Sequence, residues 1–140
     1  MSATNAGRPL KVLHVDDDPM NLRVVQEILT AFGHAAVMAS SGREALERLA
    51  TEAFDVVLLD IHMPEMSGLE VIERLRASPG PERGTPVIAL TADVLSRRPQ
   101  DYTALGFDDF VSKPILVSGL MASVRRAAGL SAPRRFSHAS

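Results

Sequence analysis

The sequence predicts an α/β domain, a doubly wound parallel sheet of five strands in the order 2-1-3-4-5 with five helices on its two faces. Val56-Val57-Leu58-Leu59 and Pro86-Val87-Ile88-Ala89-Leu90 are apolar runs with no polar alternation. Strands buried on both faces read this way. Between such runs lie stretches with helical periodicity, so strand and helix alternate five times. The strand candidates also end on polar groups, Asp16 and Asp17, Asp60, Thr91 and Lys113. In open α/β sheets, ligands collect beyond these carboxyl ends.

Residues 1–9 are small and polar and predict a disordered lead, while residues 10–128 predict one domain. Leu10–Val15 is the first strand. Asp18 is placed to cap a helix from Pro19 to about Phe32, with Pro19 at its first position and Gly33 as its stop. Met20, Val24, Ile28 and Leu29 should form its buried stripe, widened by Leu22 and Val25. Ala35–Met38 is a weaker second strand. Ser41 caps a helix from Gly42 to about Thr51 with Glu44 placed for a capping box, and Ala45, Leu46 and Leu49 face inward.

Phe54–Asp60 is the third strand, and a helix from Ser67 or Gly68 to about Ala77 should bury Leu69, Ile72 and Leu75. Residues 78–84 hold two Pro and two Gly and predict a mobile loop. Pro86–Thr91 is the fourth strand. Pro99 would cost about 3 kcal/mol inside a helix. The fourth helix is therefore expected to start late, with Ser96 as its cap, and to end near Leu105. Phe107–Ser112 is the last strand. A closing helix from Ile115 or Leu116 to Ala128 buries Leu116, Leu120, Met121 and Val124, and residues 129–140 predict a disordered basic tail.

Composition narrows the function. The chain of 140 residues is 46% hydrophobic with a formal charge of -2. That balance gives no general attraction to nucleic acid or acidic lipid. There is no cysteine, which excludes disulfides, thiolate metal sites and thiol nucleophiles. No apolar run approaches a membrane span, and with one Tyr, five Phe and no Trp a base-stacking platform is poorly supported. No membrane or direct nucleic-acid partner is expected, and a cytoplasmic location is. Arg125, Arg126, Arg134 and Arg135 read as a solvated helix end and tail.

The strand order sets strands one and three side by side, which brings Asp16 and Asp17 next to Asp60. Three close carboxylates repel unless a positive charge sits among them. A hard divalent cation answers this, and Mg²⁺ fits better than Ca²⁺ because few carboxylates are on offer and the twelve-residue calcium loop is missing; Mn²⁺ could replace it. Lys113 supplies a second cation and Thr91 a hydroxyl. A carboxylate nucleophile, a metal, a lysine and a hydroxyl compose a phosphoryl-transfer site, with an acyl phosphate on Asp60 as the product.

The stretches VLHVDDDPMN at 12–21, VVLLDIHMPEMSGLEVI at 56–72, PVIALTA at 86–92 and GFDDFVSKPI at 106–115 together resemble a response-regulator receiver domain of two-component signalling over residues 10–128. The MNLRVVQEIL stretch is similar to receivers of hybrid histidine kinases. The resemblance implies a flavodoxin-like, CheY-like fold. It implies that Asp60 accepts the phosphoryl group, that Asp17 ligates Mg²⁺ directly, that Asp16 acts mainly through metal-bound water, and that His62 offers its backbone carbonyl. Thr91 and Lys113 would bind phosphoryl oxygens, the Lys113–Pro114 bond would be cis, and Phe110 would be the switch aromatic. His62 and Asp93 occupy the positions that tune hydrolysis in that family.

The implied activity is phosphoryl uptake from a histidine kinase, a phosphotransfer protein or a small phosphodonor, followed by self-dephosphorylation, rather than conventional enzymatic turnover. Two features depart from the family pattern: Pro99 disturbs the fourth helix, and Phe110 lacks the hydroxyl of the common Tyr. Taken alone, Asp16 and Asp17 would read as loop or capping acids, and His62 as an exposed turn residue. Competing readings are a binding module of the same fold that works without phosphate, and a Mg²⁺-dependent phosphohydrolase. The latter would need a second acid where His62 stands, and a cap domain.

Overall fold

The computed structural model describes residues 8–93 and 97–139, the last ten of these by their backbone. Residues 1–7 of the expected lead, and Ser96, the expected cap of the fourth helix, lie outside the described residues. The elements run β1 (Lys11–Val15), α1 (Pro19–Ala31), β2 (Ala35–Ala39), α2 (Gly42–Thr51), β3 (Val56–Asp60), α3 (Gly68–Arg76), a 3-10 turn (Pro81–Gly84), β4 (Val87–Thr91), α4 (Pro99–Leu105), β5 (Asp109–Ser112) and α5 (Val117–Ala139). The five strands pair in parallel in the order β2-β1-β3-β4-β5, as the alternation of elements predicts.

Successive side chains of a strand point to opposite faces, and both faces of this sheet are covered. On one face Leu13, Val15, Val57, Leu59, Val87 and Ala89 pack with Ala45 and Leu49 of α2, Val71, Ile72 and Leu75 of α3, and Tyr102 of α4. On the other, Val12, Val56, Leu58, Ile88 and Leu90 pack with Val25 and Leu29 of α1 and with Leu120, Met121 and Val124 of α5. The unbroken apolar run of β3 thus feeds two cores, and all five of its residues are buried.

Local chemistry fixes the helix starts. The Asp18 carboxylate accepts from the Met20 N–H at 2.9 Å, so the expected cap forms with Pro19 directly after it. Ser41 caps α2 through the Glu44 N–H at 3.1 Å, but the Glu44 carboxylate reaches back to the Ser40 N–H at 2.8 Å rather than to Ser41. The reciprocal capping box forms instead at α3, between Ser67 and Glu70. α4 begins at Pro99, where a missing N–H is harmless, and the Asp101 carboxylate accepts from the Arg98 N–H at 2.8 Å.

Several expectations are corrected. Met20 and Val24 are exposed at 71% and 48%, because α1 is buried mainly along the line of Val25 and Leu29. Leu116 is 68% exposed and lies outside α5, which begins at Val117. In α3, Val71 takes the buried place beside Ile72 and Leu75, while Leu69 is only partly covered. The loop expected to be mobile holds the 3-10 turn, braced by Arg76, whose guanidinium donates to the carbonyls of Arg83 and Thr85 at 2.7 Å each. α5 passes Gly129 and Pro133, where a tail was expected, and ends at Ala139.

Candidate functional site

Register builds the site. Val15 pairs with Leu59, so Asp16 and Asp60 end neighbouring strands side by side. Asp60 pairs with Leu90, and Thr91 pairs with Ser112, which sets Thr91 and Lys113 one step further along the same edge. The ladder holds to its last rung: the Ile61 N–H donates to Leu90 at 3.1 Å and the Lys113 N–H to Thr91 at 2.8 Å. The Lys113–Pro114 peptide is cis, as the resemblance implied.

Asp16, Asp17 and Asp60 each offer a carboxylate oxygen, and these lie within 4.8 Å of one another. Asp16 and Asp60 are buried, and Asp17 is exposed at the mouth. The Lys113 ammonium lies 3.2 Å from Asp60 Oδ1 and 3.7 Å from Asp16 Oδ2. One ammonium against three carboxylates leaves a net negative pocket of hard oxygen donors. That donor set fits a divalent cation of the Mg²⁺ or Mn²⁺ kind.

Each acid is held differently. Asp16 Oδ1 accepts from the Asp18 N–H at 2.9 Å, and Oδ2 from the Asn21 amide at 3.2 Å. Asp60 Oδ1 accepts from the His62 N–H at 3.3 Å. Burial pushes the Asp60 carboxyl above its ordinary pKa; Lys113 pulls it down and Asp16 pushes it up again. Beneath Asp16, His14 is held down to a pKa of about 4, chiefly by burial, with Asp16 opposing and Lys113 adding to the effect.

Thr91 is buried, and its hydroxyl accepts from the Asp93 N–H at 3.0 Å, which shapes the loop after β4. His62 and Asp93 are both exposed at the rim. Phe110 is half-buried and stacks on Tyr102, with ring centroids 4.9 Å apart and planes 17° from parallel. The sequence reading overlooked His14, Asn21 and the special role of Gly68. Helix α3 starts so close to the end of β3 that a Cβ on Gly68 would strike the Asp60 carbonyl oxygen. A polar residue interrupting the LKVLHV run was the available signal for His14.

A family model for the response regulator receiver domain matches residues 12–125. The chain belongs to the response-regulator receiver family. This receiver domain is 38% identical over 117 residues to the aerobic respiration control sensor protein ArcB of Escherichia coli, covering 84% of this chain and 15% of that protein. It is 35% identical over 130 residues to the sensor histidine kinase GacS of Pseudomonas protegens, covering 91% of this chain and 14% of that protein. The chain therefore spans about a seventh of the length of these relatives. Among solved structures it is similar to the chemotaxis protein CheY4 of Vibrio cholerae, with a TM-score of 0.77, 30% identity and coverage of 86% of this chain and 99% of that one. It is also similar to the receiver domain of a sensor histidine kinase of Pseudomonas aeruginosa, with a TM-score of 0.78, 26% identity and coverage of 87% and 99%. That structure has a magnesium ion coordinated in its active-site cleft. Among the described residues, no helix is long and apolar enough to cross a membrane.

Proposed function

We propose that this receiver domain takes a phosphoryl group onto Asp60 from a phosphohistidine on a histidine kinase or histidine phosphotransfer protein, with Mg²⁺, or Mn²⁺ in its place, held by Asp16, Asp17, Asp60 and the His62 backbone carbonyl. The observation that carries it is the convergence of three carboxylates and one ammonium at the carboxyl edge of the sheet. A carboxylate oxygen of Asp60 attacks phosphorus in line, the phosphorus–nitrogen bond to the donor imidazole breaks, and its electron pair leaves with that imidazole. Lys113 and the Thr91 hydroxyl stabilise the charge spread over the phosphoryl oxygens. A bound divalent cation would neutralise part of the same charge.

Water attack on the acyl phosphate then returns Asp60 and releases inorganic phosphate, so the domain catalyses its own dephosphorylation. His62 and Asp93, both exposed, are the side chains proposed to set the access of that water. Phe110 is the side chain proposed to change its packing on phosphorylation, against Tyr102. The rim also favours a protein donor over a small one. α1 follows directly on the acidic loop and α5 follows on Lys113; exposed Met20, Leu116 and Val117 lie at those two helix starts, and exposed Val24 lies one turn further along α1. The sensor histidine kinase GacS among the relatives supports such a donor.

The test is intact-mass measurement after incubation with acetyl phosphate and Mg²⁺. The expected result is a gain of one phosphoryl group that is lost in Asp60→Asn and when the cation is chelated. An unmodified wild type, or an Asp60→Asn chain that still gains the group, would refute the assignment.

A further inference from the structure

His14 is a buried ionisable side chain to which the proposed chemistry gives no task. It stands in β1 between Leu13 and Val15, and its register neighbours are Met38 and Leu58. It is 1% exposed, and neither ring nitrogen has a hydrogen-bond partner. A neutral imidazole carries one donor and one acceptor, and burying both unpaired is unfavourable. A valine at the same place would bury nothing polar, so the strand gains no stability from having His14 there.

The two-residue period of the strand puts His14 on the same face as Asp16. Its Nε2 stands 3.9 Å from Asp16 Oδ2. That is about 0.7 Å outside hydrogen-bonding range, a gap that a small rotation of ring or carboxylate closes. Oδ2 already accepts from Asn21 at 3.2 Å and faces Lys113 at 3.7 Å. Lys113 is shared, however, since it lies closer to Asp60, at 3.2 Å. A phosphoryl group on Asp60 would offer Lys113 new acceptor oxygens and draw it from Asp16. Oδ2 would then lose a cation at the moment the site must hold its geometry, with His14 waiting beneath.

We propose that His14 is a positioning residue for Asp16, its Nε2–H closing on Oδ2 when Lys113 turns to a phosphoryl group on Asp60. The proposal rests on the phosphoacceptor reading of Asp60. His14 touches neither donor nor phosphoryl group. It acts by fixing the orientation of a carboxylate that helps to hold the cation, as outer partners of metal-binding side chains commonly do.

The experiment uses the full chain, with beryllofluoride as the phosphoryl mimic, and reads the imidazole nitrogens of His14 by NMR. The expected result is a proton on Nε2, with a His14 resonance change on adding beryllofluoride and Mg²⁺ together that Mg²⁺ alone does not produce. In parallel, calorimetry should show Mg²⁺ binding to the beryllofluoride-treated protein weakened roughly ten-fold by His14→Val. His14→Gln, which retains an N–H at about the reach of Nε2, should recover most of the loss. A proton on Nδ1 in both states, or an unchanged affinity in folded His14→Val, would overturn the role of His14 while leaving Asp60 as acceptor. A folded wild type that takes up neither beryllofluoride nor phosphoryl would overturn both. Should His14→Val not fold, the wild-type tautomer and its response decide the matter.

Discussion

The ammonium of Lys113 lies 3.2 Å from Oδ1 of Asp60, which makes it the positive charge that lets a buried carboxylate stand beside Asp16. Removing it should have two separable effects. Phosphoryl uptake from acetyl phosphate should fall roughly 100-fold in Lys113→Ala, the scale on which a transition-state charge stabiliser acts. In the resting protein, burial and Asp16 would be left unopposed by Lys113, so the Asp60 carboxyl should titrate higher than in wild type. Mass spectrometry follows the first effect, and carboxyl NMR the second.

Cation binding should stabilise the fold through Asp17. A divalent cation at about 100 times its Kd should add about 2.7 kcal/mol to unfolding stability. Asp17 is exposed, so Asp17→Asn should change the cation-free stability by less than about 0.5 kcal/mol while removing most of the gain. Denaturant melts with EDTA and with Mg²⁺ measure both quantities. An undiminished Mg²⁺ gain in Asp17→Asn would exclude it as a ligand.

Much of this is legible in the sequence alone, for identifiable reasons. β3 and β4 could be read because strands buried twice over tolerate only apolar residues, so their runs are unbroken until the chemistry begins at Asp60 and Thr91. The convergence of Asp16 on Asp60 followed from strand order alone. The exposed side of α1 was misread because Met20 and Val24 are apolar, and periodicity cannot tell a core stripe from an apolar surface. Packing also decided between equivalent local signals. Ser41 with Glu44 has the same spacing as Ser67 with Glu70, yet only the second pair closes reciprocally, since Glu44 finds the Ser40 N–H instead. His14 was passed over because its meaning depends on a distance to Asp16 that no sequence pattern supplies.

The close approach at Gly68 makes a sharp steric prediction. The Gly68 N–H donates to the Ile61 carbonyl at 2.8 Å, and a Cβ there would strike the Asp60 carbonyl oxygen and come within 2.8 Å of the Ile61 Cα. Both are backbone atoms and cannot swing aside. Gly68→Ala should therefore lower stability by about 1–3 kcal/mol and displace the end of β3. Reduced phosphoryl uptake should accompany the loss in urea titrations. Wild-type values in both assays would show that α3 can move away without disturbing Asp60.

Acid should weaken the cation-free fold through His14. Its folded pKa is lowered from 6.5 to about 4, so between those values the unfolded chain binds a proton that the native state refuses. Stability is then fully present above 6.5 and falls as the pH drops toward 4, by roughly 3 kcal/mol for the whole interval. Asp60 acts in the opposite sense. Its raised carboxyl takes up a proton earlier in the folded state and offsets part of the loss on the acid side. His34, also lowered in pKa, adds a limb of the same sign as that of His14. The difference between wild type and His14→Val cancels both contributions. Unfolding free energies in EDTA across that pH range should show the variant with the flatter profile, and parallel profiles would mean that His14 takes up its proton as readily in the native state as in the unfolded chain.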